Sequence, residues 1–145
     1  MSKTFDVGSF GAFTKLDEHV FTHPKLGDRK GRGKVFMKKP LGLTGMEISL
    51  NKLKPGFAMP FLHKHQQNDE VYVVVGGRGQ FLVDSECIDV AEGSVLRLYP
   101  AAARAWRNNS DAPLYFLCLQ YRADSVIEGG TADGRKAEGN PAWPT

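Results

Sequence analysis

From Gly45 to Gly56 the chain alternates. Met46, Ile48 and Leu50 fall on one parity and Glu47, Ser49 and Asn51 on the other, until Pro55 and Gly56 interrupt the pattern. A period of two predicts a half-buried strand. "EVYVVV" at 70–75 is β-branched and aromatic, and it predicts a second strand running into a turn at Gly76, Gly77 and Gly79. "QFLVD", "SVLRLYP" as far as Pro100, and "PLYFLCLQY" predict further short strands separated by turns. Only residues 13 to 20 hint at a helix. Short strands spaced this regularly argue for an all-β barrel or sandwich.

A chain of 145 residues is long enough for one domain with a real core. From Arg122 onward it is poor in aliphatics and rich in glycine, which predicts an irregular tail; Trp143 is its one residue suited to docking on a barrel. The formal charge of +3 is local in origin, because residues 25 to 39 hold seven bases against the single acid Asp28. Such a patch can attract phosphates, but it lacks interleaved aromatics beyond Phe36. A solvated glycine-rich loop is the reading adopted, with no nucleic-acid partner. No apolar run suits a signal peptide or a membrane span, so a cytoplasmic protein without a membrane partner is expected. Two cysteines imply no disulfide framework, and Cys118, inside "LYFLCLQY", reads as a small core residue.

The chemistry concentrates in "FLHKHQQNDEVYVV". On a strand, His63 and His65 project to one face and Lys64 to the other. Two imidazoles side by side are poorly satisfied in a dry core and gain partners by binding a cation. Glu70 opens the next predicted strand, and a hairpin would return its carboxylate beside them. Two imidazoles and a carboxylate suit a divalent Fe, Mn, Zn, Ni or Cu ion without choosing among them. The competing reading is a hydrogen-bonded His–Glu cluster without metal.

The spacing Gly56, six residues, "HKH", four residues, Glu70, six residues, Gly77 resembles the first motif of the cupin superfamily, with one residue added after the first glycine. "GSVLRLYPAAARAWRNN", from Gly93 to Asn109, resembles the second. The resemblance covers residues 44–121. It implies a double-stranded β-helix, or jelly-roll, barrel with the site inside, an arm with edge strands at 1–43 and a tail at 122–145. It also implies a homodimer. Proteins of this kind include sugar-phosphate isomerases, dioxygenases and ligand-binding modules. The sequence departs from the family in one respect: the third histidine ligand expected five residues after the proline of the second motif is Ala105, and Ala102 replaces a glycine. Only His19 and His23 remain as substitutes. Two outcomes stay open, a facial triad of His63, His65 and Glu70 or a relic site reused for an organic ligand.

"RAWRNN" adds to the second outcome. If Ala105 faces inward, so does Arg107; if the register slips by one, Arg104 and Trp106 face inward instead. Either arginine could clamp a carboxylate or phosphate, the alternative being Trp106 as core filler and the arginines as rim charges. Gln80 and Arg97 are weaker candidates for contacting substrate. Tyr72 shares a face with Glu70, and this pair is the candidate for proton handling. The expected partner is thus a small polar or anionic molecule, either turned over by a metal-dependent oxygenase or isomerase or simply bound.

Overall fold

The computed structural model describes residues 3–145. Ten strands account for almost all of its regular structure. These are β1 (Val20–Phe21), β2 (Gly31–Arg32), β3 (Lys34–Phe36), β4 (Glu47–Leu53), β5 (Asn68–Gly76), β6 (Arg78–Val83), β7 (Glu86–Ala91), β8 (Val95–Leu98), β9 (Arg104–Arg107) and β10 (Leu114–Arg122). The predicted helix is a 3-10 segment, Phe13–Glu18, and the one α-helical turn is Lys38–Leu41. All strand pairings are antiparallel. Two sheets, ordered β3-β4-β10-β5-β8 and β7-β6-β9, face each other across the core, and β1 and β2 form a small ribbon in the arm. This is the all-β jelly-roll expected from the strand pattern.

Alternation decides what each sheet shows to the interior. On the five-stranded sheet three cross-strand rows point inward: Glu47–Gln120–Glu70–Leu98, then Phe36–Ser49–Cys118–Tyr72–Leu96, then Lys34–Asn51–Phe116–Val74. The facing sheet supplies Phe81, Val90 and Trp106, which are buried. On β4 it is the polar parity, Ser49 and Asn51, that faces inward. The apolar parity is covered from outside by the 3-10 segment, where Lys52 binds the Thr14 carbonyl and the Asp17 carboxylate and Phe13 packs edge-on against Tyr115. Both faces of this strand are thus covered, and the strand pattern alone does not say which faces the barrel.

Two glycines are dictated by geometry. Gly77 turns β5 into β6 with φ 77°, and any Cβ there would strike the Pro113 carbonyl. Gly33 has φ 86° and sits against the Lys52 carbonyl, linking β2 to β3 so that the next residue, Lys34, enters the inward row. Gly79, expected in the turn, instead lies within β6, where Leu114 and the Arg107 carbonyl leave no room for a side chain. Strand β7 has no counterpart among the expected strands: "ECIDVA" has no strict alternation of apolar and polar residues, and a single one of its side chains, Val90, is buried. Beyond Arg122 the chain has no regular strand, and Trp143 is 85% exposed instead of docked.

Candidate metal centre

Residues 58–65 run alongside β9 as an extended segment. Met59 N donates to the Trp106 carbonyl, His63 and Arg104 exchange two backbone hydrogen bonds of 3.1 and 2.9 Å, and His65 N donates to the Pro100 carbonyl. Strand-like spacing therefore holds, and the rings of His63 and His65 meet at 5.4 Å while Lys64 is exposed. The expected hairpin partner is different. Glu70 does not return beside the histidines in their own sheet; β5 pairs with β10 and β8, so the carboxylate meets them from the opposite wall. The link "QQN" carries the chain from one sheet to the other.

One ligand atom from each of His63, His65 and Glu70 lies within 4.8 Å of the other two. His65 Nε2 stands 3.0 Å from Glu70 Oε1 and His63 Nε2 stands 3.7 Å from Oε2. The shorter contact is not directed as a hydrogen bond, and both His65 Nε2 and His63 Nδ1 are buried without a hydrogen-bond partner. Buried polar atoms are nearly always paired. Ligand atoms of three residues gathered within 4.8 Å, with His65 Nε2 unpaired among them, could hold a cation. The donor set suits a borderline divalent ion with open positions.

Glu70 is 4% exposed. Burial would raise its pKa, but the adjacent His63 and Tyr72 side chains, with His65 and Arg104 nearby, outweigh this and hold it down at about 2. The Tyr72 hydroxyl donates to Oε2, and Gln120 Nε2 donates to Oε1 at 3.4 Å. Burial pushes the Tyr72 phenol well up, with nearby Cys118 and Glu70 adding to it. Cys118, on the same wall, is pushed up to about 12, again chiefly by burial and then by Glu70. Tyr72 is therefore a neutral donor at physiological pH, and Glu70 an anion.

The arginine question has a definite answer. Arg104 and Trp106 face inward, while Ala105 and Arg107 face out. Arg104 is fully buried, with Nε 3.5 Å from Glu70 Oε2, Nη2 donating to the Tyr99 carbonyl at 3.1 Å, and Nε and Nη1 lacking hydrogen-bond partners. The inward position of β9 beside the histidines thus carries the guanidinium of Arg104, while Ala105, where the family pattern expects an imidazole, faces out. Trp106 lines the wall, 5.5 Å from the His63 ring. Arg107 and Gln80 do not reach the interior. They form an outer row with Asp89, Arg107 donating to Gln80 Oε1 at 2.7 Å and Gln80 to Asp89 at 2.8 Å. The pleat forces this, because Phe81 and Trp106 take the inward parity. Arg97 pairs with Asp69 on the outside of the five-stranded sheet. His19 binds the Phe10 carbonyl and His23 stacks on Phe61, so neither joins the trio.

One interior residue had no signal in the chain. Lys34, within the basic segment read as a solvated loop, sends its ammonium inward, 5.9 Å from the Trp106 ring and 4.9 Å from the Phe36 ring. Its pKa is lowered by burial, against the opposing pull of Cys118 and Glu70. Only the parity set by the β3–β4 register distinguishes it from its basic neighbours.

The model of the cupin domain family matches residues 49–120. A cupin protein of Bacteroides fragilis is 31% identical, with a TM-score of 0.76, and the alignment covers 94% of this chain and all of that one. A sugar phosphate isomerase of the cupin superfamily from Silicibacter pomeroyi shares the fold, with a TM-score of 0.56 and 23% identity over 63% of this chain and 60% of that one. An uncharacterized protein of Methanocaldococcus jannaschii is 33% identical over 78 residues, which are 53% of this chain and 62% of that protein's length. With both motifs placed on a jelly-roll and the histidine pair facing its glutamate across the interior, the chain belongs to the cupin superfamily.

Proposed function

We propose that this cupin binds a divalent metal through His63, His65 and Glu70 and holds a small anionic metabolite between that ion and Arg104. The observation that supports the reading is a fully buried guanidinium whose Nε and Nη1 lack hydrogen-bond partners and whose ion pair with Glu70 is long, 3.5 Å. Buried charge is favourable only where pairing and hydrogen bonding are complete, so the spare donors argue for a ligand that completes them. Arg104 also opposes a cation placed nearby. Metal and anion should therefore bind with positive coupling, each raising the affinity of the other.

When bound, the ion would supply Lewis-acid polarisation of a ligand oxygen. Tyr72 would orient Glu70 and, as a neutral phenol, hold a proton at its hydroxyl; Trp106 and Phe81 would exclude water. Oxygenase and isomerase chemistry both remain compatible with this donor set, and non-catalytic binding of the same anion is the alternative, supported by the inward Arg104 and by Ala105 at the position of the third histidine. Apolar rows on the outer face of the five-stranded sheet, Leu117–Val73–Val95 and Leu119–Val71, half-buried except for the exposed Val95, support pairing of two copies through that sheet. The described residues contain no helix long and apolar enough to cross a membrane, and both cysteines are free, which supports a reducing compartment.

The test is elemental analysis of protein purified without chelator or histidine tag, alongside a His63→Ala, His65→Ala double variant. Near-stoichiometric metal that the variant loses is the expected result, and iron would favour the oxygenase branch over the isomerase branch. Metal at the variant's background even after reconstitution would sink the metal reading and leave the anion-binding module.

A further inference from the structure

Two cations point into the barrel, Arg104 and Lys34, and among the described residues only Arg104 lies within ion-pair distance of an acid. Glu70 stands 3.5 Å from Arg104, whereas Lys34 has Glu70 and Glu47 in its surroundings without a direct contact to either. The other carboxylate of that row, Glu47, lies at the rim, where its Oε1 accepts from the Lys38 backbone N–H at 3.5 Å and Lys38 and Lys39 stand beside it. A divalent ion on the trio adds two further positive charges. A low-dielectric interior does not tolerate such an excess without an anionic partner.

Geometry gives Lys34 its place independently of charge. Its register partner is Asn51, and the row continues through Phe116 to Val74, all inward. The residue as a whole is half-buried, and its ammonium lies over the faces of Phe36 and Trp106, 4.9 and 5.9 Å from the ring centroids. Aromatic faces attract a cation yet offer no hydrogen-bond acceptor, so the three ammonium donors keep capacity for a ligand. Phe36 also lines a surface depression of about 600 Å³, together with Lys38, Lys39, Leu43 and Glu47. Lys38 and Lys39 thus stand on the solvent side of Phe36, the ring over which the Lys34 ammonium sits. Strand β3 lies outside residues 49–120, so this group belongs to the arm and not to the matched cupin domain.

We propose that Lys34 is a second cationic contact for the ligand, and that the ligand is a small molecule with two negative charges, a dicarboxylate or a phosphoryl-bearing acid. This rests on the anion reading of Arg104 and not on the metal. The arm thereby sets specificity: Arg104 takes one anionic group and Lys34 the other, whereas a monoanion leaves one of the two cations unmatched.

Titration calorimetry with malonate, inorganic phosphate and acetate tests this on the full chain, both as purified and after chelation. Wild type should bind at least one dianion more tightly than acetate by about tenfold, the factor corresponding to one charge-assisted contact. Whether malonate or phosphate is preferred distinguishes the two kinds of acid. Lys34→Met should bring the ratio close to one without changing metal content, Lys34→Arg should restore part of it, and Lys54→Met, at an exposed lysine, should leave it intact. Lys34→Gln serves if the methionine variant does not fold, with circular dichroism checking each. An unchanged ratio in Lys34→Met, even with a lower melting temperature, would show a purely structural lysine and overturn the proposal. So would failure of wild type to bind any of the three anions. Metal-free protein that still shows the Lys34-dependent ratio would sustain it while removing the metal reading.

Discussion

The two ends of the barrel interior are oppositely satisfied. Strand β5 runs through both, contributing Glu70 to one end, Val74 to the other and Tyr72 between them. At the Val74 end, Tyr72, Phe81, Trp106 and Phe116 pack ring against ring with centroids 4.8–6.0 Å apart, beside Leu53 and Leu114. At the Glu70 end, nitrogens of His63, His65 and Arg104 are buried without partners. One end meets the requirements of a core and the other violates them, which is the pattern expected where a fold forgoes stability for a site. Tyr72 joins the two, its ring in the aromatic cluster and its hydroxyl on Glu70.

The contrast breaks if damage to the aromatic end fails to dominate stability. Phe81→Ala should lower the free energy of unfolding by about 3–5 kcal/mol, measured by urea denaturation. Metal content per folded molecule should stay near wild type. Tyr72→Phe keeps the ring and removes one bond to an ionised carboxylate, so a loss of about 1.5–3 kcal/mol is expected near neutral pH. Its pH dependence follows from Glu70. The folded pKa, about 2, lies below the ordinary carboxylate range, so the stabilisation is present above that range and lost as pH falls toward 2. The difference between metal-free wild type and Tyr72→Phe should therefore shrink across that window; a difference constant with pH would mean that the hydroxyl acts through packing alone.

The polar end makes the opposite prediction. Replacing both members of its charged pair, Glu70→Gln with Arg104→Met, should leave the metal-free protein as stable as wild type within about 1 kcal/mol, or more stable, because half-satisfied buried charges contribute little. A loss as large as that of Phe81→Ala would show the site to be part of the structural core. The same variant should bind neither metal nor malonate.

How much of this was legible in the sequence depends on which physical rule governed each residue. The histidine pair was readable because alternation on an extended segment needs only local geometry, and the glycine-bounded motif fixed the fold around it. Glu70 was readable as a neighbour of the histidines but not as a group from the opposite wall, since sheet membership is decided by β10 inserting between β4 and β5. The segment "RAWR" offered two parities, and the choice turned on Phe81 and Trp106 pairing across the inner face, a contact between strands 25 residues apart. Strand β4 hid its inward face because its apolar parity is buried by the arm and its polar parity by the barrel. Lys34 was unreadable for a related reason: among seven bases, only pairing with a distant strand singles out one.

The outer row provides the smallest and sharpest comparison. Arg107 and Arg104 sit three residues apart on the same strand, and the sequence treats them alike as candidates. Arg107 is exposed, and its partner Gln80 lies on the outer sheet surface, where a hydrogen-bonded charge contributes little. Arg107→Ala should change unfolding free energy by no more than about 0.5 kcal/mol and leave metal content and malonate affinity unaltered. If Arg107→Ala instead weakened malonate as strongly as Arg104→Met, the anion would be bound at the outer face of the three-stranded sheet. The interior guanidinium would then need another explanation for its unpartnered donors. The pleat argues against that outcome, because a side chain on the solvent parity of β9 has Trp106 and the sheet itself between it and the histidines.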